Sequence, residues 1–151
     1  MHGPIGFSPG VFDLFHVGHL DVLRRAEEAS GRLVAGVVTD ELAEELYGAR
    51  PIVPLIERME IVGDVRHVDR VVPVSDPDLL LVWAELGFEA LFAVRPDALV
   101  PRRAERDLAA RGVRVVRYTD VAETGSAVLR SALADGSAGG AAGDGRRTSV
   151  A

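Results

Sequence analysis

The run Leu33-Val34-Ala35-Gly36-Val37-Val38 carries no polar side chain at any position. Successive side chains of a strand point to opposite faces, so a run that is apolar throughout has to be covered on both sides. That is the condition of a central strand in a parallel sheet with helices above and below. The flanks agree: Gly31 stands where a glycine ends a helix, and Thr39-Asp40 supplies side chains that cap the next one. The same alternation repeats along the chain. Apolar runs predict further strands at Ile5 to Ser8, Val68 to Val74, Ala90 to Val94 and Val113 to Tyr118. Helices are predicted over His19 to Ser30, Glu41 to Leu46, Leu55 to Val65, Asp76-Pro77 to about Leu86, Arg103 to Arg111 and Ser126 to Ala134. Pro51 to Pro54 should be extended, with Pro54 opening the helix behind it. A β-α-β order of this kind predicts an α/β fold: a Rossmann-like, doubly wound parallel sheet with helices on both faces. The ligand crevice would lie outside the carboxyl ends of its strands.

The 151 residues suit one domain over residues 1–135, long enough to bury about two thirds of the surface of the unfolded chain. Beyond it, Gly136-Ser137-Ala138-Gly139-Gly140 and the residues up to Ala151 hold too little apolar surface to offset chain entropy, so residues 136–151 are expected to be a disordered tail. All 17 basic residues are arginine, against 23 acidic ones, and the net charge of −6 argues against nonspecific nucleic-acid binding. There is no cysteine, which excludes disulfides and thiolate metal sites. No apolar run approaches the roughly 18 residues of a membrane span, so no membrane insertion and a cytoplasmic location are expected.

The chemistry gathers in Gly10-Val11-Phe12-Asp13-Leu14-Phe15-His16-Val17-Gly18-His19, between the first strand and the first helix. A helix start presents backbone N–H groups and the positive end of its dipole to an anion. Gly18 lets a phosphate oxygen approach the main chain, and His16 and His19 add donors to the same phosphate.

This G-x-F-D-x-x-H-x-G-H pattern resembles the signature of the cytidylyltransferase-like nucleotidyltransferases, a family that includes glycerol-3-phosphate and phosphocholine cytidylyltransferases. The similarity extends over about residues 5 to 134. Val38-Thr39-Asp40 resembles the family's V-x-T-D, Arg50 to Val62 its P-x-x-x-x-E-R-x-x-x-V stretch, and Arg66-His67-Val68-Asp69-Arg70-Val71 its R-Y-V-D-E-V. In this last motif Arg70 replaces an acidic residue. Where the family has G-D-D-W the chain has Val94-Arg95-Pro96-Asp97, and Tyr47 falls near the position of a family lysine.

The resemblance implies transfer of a nucleotidyl group, CMP first, from a nucleoside triphosphate (CTP or ATP) to a small phosphomonoester such as glycerol-3-phosphate, with release of pyrophosphate. Its alternatives are adenylyl transfer to a sugar phosphate or cofactor precursor, and a noncatalytic nucleotide-binding protein. On this reading His16 and His19 are catalytic. Gly10, Val11, Phe12, Asp13 and Gly18 hold the nucleotide, joined by Thr124, Ser126 and Arg130 at the last helix. Thr124 and Ser126 read equally well as simple helix caps. Arg50 and Arg58 would bind substrate, although Arg58 reads as well as a helix-surface residue paired with Glu57 or Glu60. Mg2+ would accompany the triphosphate, without a protein metal site. The family's subunit contact implies a homodimer through Arg66, His67, Asp69 and Arg70.

Overall fold

A computed structural model describes residues 3–94, 97–121 and 131–136. Its strands are Ile5–Gly10 (β1), Arg32–Val38 (β2), Arg70–Val74 (β3), Ala90–Val94 (β4) and Arg114–Tyr118 (β5). Its helices are Val17–Ser30 (α1), Asp40–Tyr47 (α2), Leu55–Gly63 (α3), Leu79–Leu86 (α4) and Arg102–Ala109 (α5). The strands form one parallel sheet in the order β3-β2-β1-β4-β5. This is the doubly wound arrangement predicted from the alternation.

The apolar run of β2 lies between β1 and β3, and its side chains divide by parity. Leu33, Ala35 and Val37 join Val22, Leu23 and Ala26 of α1 and Val62 of α3 on one face. Val34 and Val38 face the other way, with Leu42 and Ala43 of α2, Leu79 of α4 and Leu108 of α5. A polar residue at any of these positions would be buried without a partner, which is why the run contains none. Gly36 answers a different need: a Cβ there would stand 2.5 Å from Cζ of Phe7 and 2.8 Å from Cγ2 of Val74. The missing side chain makes room for Phe7, whose ring stacks on Phe88 at 4.9 Å.

Several boundaries move for local reasons. Helix α1 begins at Val17, two residues before the expected start, because His16 is its cap. The turn bond from Val68 N to Val65 O delays β3 until Arg70. Asp76 accepts the Asp78 N–H and Asp78 that of Leu80, so the helix α4 is capped by Asp78 and not by the Asp76-Pro77 pair. Residues 131–136 are helical, past the expected end at Ala134. The expected helix start at Ser126 and the tail beyond Gly136 lie outside the described residues. Among those described, no helix is long and apolar enough to cross a membrane.

Candidate active site

Because β2 lies on one side of β1 and β4 on the other, the winding reverses at β1. The carboxyl ends of β1 and β4 therefore border a crevice of the type that binds ligands in such sheets. The turn leaving β1 has two residues in the left-handed region, Phe12 at φ 54° and Leu14 at φ 49°. Neither is a glycine, so the conformation has to be imposed by its surroundings. Phe12 is buried with its ring 5.5 Å from that of His19. Asp13, only 1% exposed, accepts the N–H of Ile52 at 2.8 Å and of Val53 at 2.9 Å. Val11 O accepts from Arg58 at 2.7 Å. Asp13 thereby ties the turn to the segment before α3.

The two histidines cap α1 reciprocally. His16 Nδ1 accepts the Gly18 N–H at 3.0 Å, and His19 Nδ1 accepts the His16 N–H at 3.3 Å. A ring nitrogen that accepts carries no proton, so each neutral imidazole holds its proton on Nε2. The rings lie 3.9 Å apart between centroids, so the two Nε2–H donors form a pair at the helix start. Burial favours the uncharged form of both rings: the His19 pKa is pushed down to about 4 by burial first and then by His16, against an opposing pull from Asp13. The His16 pKa is lowered by burial. One expectation changes here. Gly18, expected to let a phosphate oxygen approach the main chain, has its own N–H bonded to His16, and the donors that remain on the histidine pair are those of the imidazoles.

Arg58 does not sit where substrate binding requires. Its side chain is fully buried, donating from Nε to Val53 O at 2.8 Å, from Nη1 to Val11 O and Val38 O at 2.7 Å each, and from Nη2 to Asp40 at 2.5 Å. It joins the ends of β1 and β2 to the starts of α2 and α3, and the pairing with Glu57 or Glu60 is likewise absent. A periodic pattern places residue 58 on a helix but does not show which strands end opposite it. Arg50 is exposed, with Asp40 at 3.8 Å, Glu41 at 3.5 Å and Glu44 at 3.3 Å. Its guanidinium pairs with carboxylates at the start and middle of α2.

Tyr47 and Asp97, fifty residues apart, are joined by a short bond from the Tyr47 hydroxyl to Asp97 Oδ1. Burial and this bond push the Tyr47 pKa up, so the phenol remains a donor. No spacing in the sequence signals that contact. Of the residues in the proposed subunit motif, His67 bonds to Glu27 at 2.5 Å and Asp69 accepts the Leu33 N–H at 2.7 Å, both within the protomer. Thr124, Ser126 and Arg130 lie outside the described residues. Among those described, no three His, Asp or Glu side chains are grouped to hold a metal ion.

A family model described as cytidylyltransferase-like matches residues 7–128. An FAD synthase of Thermococcus sibiricus is 37% identical over 90 residues, covering 60% of this chain and 56% of that protein. The bifunctional protein HldE of Halorhodospira halophila is 40% identical over 97 residues, 64% of this chain and 19% of that one. Ethanolamine-phosphate cytidylyltransferase of Arabidopsis thaliana is 45% identical over 67 residues, 44% of this chain and 16% of that one. The matched region thus spans about half the length of the FAD synthase and about a fifth of HldE. Among solved structures, a lipopolysaccharide core biosynthesis protein from Thermoplasma volcanium GSS1 superposes with a TM-score of 0.70 at 22% identity, over 78% of this chain and 97% of that one, a likeness of fold.

Proposed function

The chain belongs to the cytidylyltransferase-like family, and from that premise we propose that it is a nucleotidyltransferase acting on a small phosphomonoester. An oxygen of the acceptor phosphate attacks the α-phosphorus of a nucleoside triphosphate, the bond from that phosphorus to the α,β-bridging oxygen breaks, and pyrophosphate leaves. Such a reaction asks for alignment and charge stabilisation more than for covalent help from the protein. The observation that carries the reading is the His16–His19 pair. Both Nδ1 atoms are held by backbone N–H groups, so two Nε2–H donors are fixed in direction at a helix start. Donors already oriented toward developing phosphate charge lose little in reorganisation during the reaction.

Mg2+ is proposed to enter with the nucleoside triphosphate, as part of the substrate. CTP is the first donor proposed and ATP the second; the relatives are named for FAD synthesis and for ethanolamine-phosphate cytidylyl transfer, products that differ in both halves. Pyrophosphate release measured over four nucleoside triphosphates and a panel of phosphomonoesters tests the proposal. Triphosphate-dependent release that requires an acceptor supports it, and calorimetric binding of a triphosphate without release for any pair would favour the noncatalytic alternative. A homodimer is also proposed, with its contact at Arg66, His67, Asp69 and Arg70, between helix α3 and the edge strand β3 that begins at Arg70.

A further inference from the structure

β2 and β4 flank β1 in the sheet, and α2 follows β2 while Asp97 stands three residues beyond β4. A bond between Tyr47, the last residue of α2, and Asp97 therefore joins the segments that follow the two strands flanking β1, the strand whose turn leads to His16 and His19. Asp97 Oδ1 takes both the Tyr47 hydroxyl and, at 2.9 Å, the Leu99 N–H. Among the described residues nothing donates to Oδ2. The cations near α2 do not neutralise this carboxylate, since Arg58 is fully buried and Arg50 is engaged by α2.

We propose that Asp97, oriented by Tyr47, selects the acceptor: its Oδ2 takes a hydrogen bond from a hydroxyl or ammonium group on the organic part of the phosphomonoester. The same charge disfavours an acceptor with a second anionic group there. The inference rests on the nucleotidyl-transfer reading for the identity of the crevice, and adds which acceptors it admits. A carboxylate accepting from a hydroxyl or ammonium makes a charge-assisted bond, whereas a carboxylate facing a second anion leaves two like charges unneutralised in a partly closed space.

The test uses the full chain with glycerol-3-phosphate and phosphoethanolamine as one pair of acceptors and 3-phosphoglycerate and phosphoglycolate as the other. Pyrophosphate release should favour the first pair by about tenfold or more in kcat/KM, the range of one charge-assisted hydrogen bond. Asp97→Asn retains an Oδ1 for Tyr47 and Leu99 but replaces the charged oxygen with an amide, and should shrink that preference by about tenfold, mainly through acceptor KM. Tyr47→Phe should shrink it in the same direction by loosening the carboxylate. A melting temperature near that of wild type shows that the turn is intact. An unchanged preference in Asp97→Asn, or a change confined to the KM of the triphosphate, overturns the inference while nucleotidyl transfer stands. If no acceptor is turned over, calorimetric titration of the same four compounds decides. A preference that Asp97→Asn erases upholds the acceptor wall without the reaction, and binding of none of them overturns it.

Discussion

His16 and His19 each carry two duties on opposite edges of one ring, and the edges can be separated by mutation. The Nδ1 edge caps α1, while the Nε2–H edge faces the proposed phosphate. Asparagine places an amide oxygen near the Nδ1 position and has nothing at Nε2. His16→Asn and His19→Asn should therefore keep the helix start while each lowers turnover by roughly 10²- to 10³-fold, the loss expected for one transition-state donor. His16→Ala should add a stability loss of about 1 kcal/mol from the missing cap, read by urea denaturation. The depressed pKa of His19 makes a second prediction. Folding holds this imidazole at about 4, below its ordinary 6.5, so the unfolded chain binds the proton more readily between those values. Stability from this residue is complete above pH 6.5 and is lost as pH falls toward 4, by on the order of 3 kcal/mol. Melting curves from pH 7 to 4 should fall more steeply for wild type than for His19→Asn, and parallel curves would refute the assignment.

The hydrogen bonds that α3 makes to the site come from Arg58. Arg58 gives its protons to three carbonyls and one carboxylate at the meeting point of β1, β2, α2 and α3. Removing a charged donor from such a place leaves buried acceptors without partners, a loss of about 3–5 kcal/mol. Arg58→Met should therefore lower the denaturation midpoint strongly, and Arg58→Lys should not restore it, because one ammonium cannot reproduce the planar fork. A normal midpoint combined with a raised acceptor KM would return Arg58 to the substrate-binding role read from the sequence. Gly36→Ala addresses the sheet itself. The new methyl would lie 2.5 Å from Phe7 Cζ, and overpacking of this kind costs about 1–3 kcal/mol.

The assembled molecule leaves β3 as an edge strand, with Ile56 and Ile61 of α3 exposed beside it. The proposed homodimer would cover this side. His67 and Asp69 already make bonds within the protomer, so Arg66 and Arg70 are left to supply the charged part of a contact, and Arg70 would need an acidic partner on the other subunit or greater separation from its positive charges. Sedimentation at micromolar concentration should show a dimer whose population changes with salt. Monomer throughout would reject the assembly, and a salt-independent dimer would reject the charge argument.

How much could be read from the chain before its structure depended on whether the signal was local. The apolar run of β2, the glycine after α1 and the Thr39 cap of α2 are each set by chemistry within a few residues, and each lies where periodicity and capping place it. The His-x-Gly-His turn was legible as a helix start for the same reason, since the two histidines and the N–H groups they take lie within four consecutive positions. Arg58, Tyr47 and Asp97 were not legible in their present roles. A buried arginine and a surface arginine on α3 leave the same trace in a hydropathy pattern, and only the packing of α3 across the ends of β1 and β2 turns residue 58 inward. Likewise the Tyr47–Asp97 contact joins residues that become neighbours because β2 and β4 flank β1. Strand order is a property of the closed fold, produced by many weak apolar contacts acting together, and no short stretch of the chain encodes it.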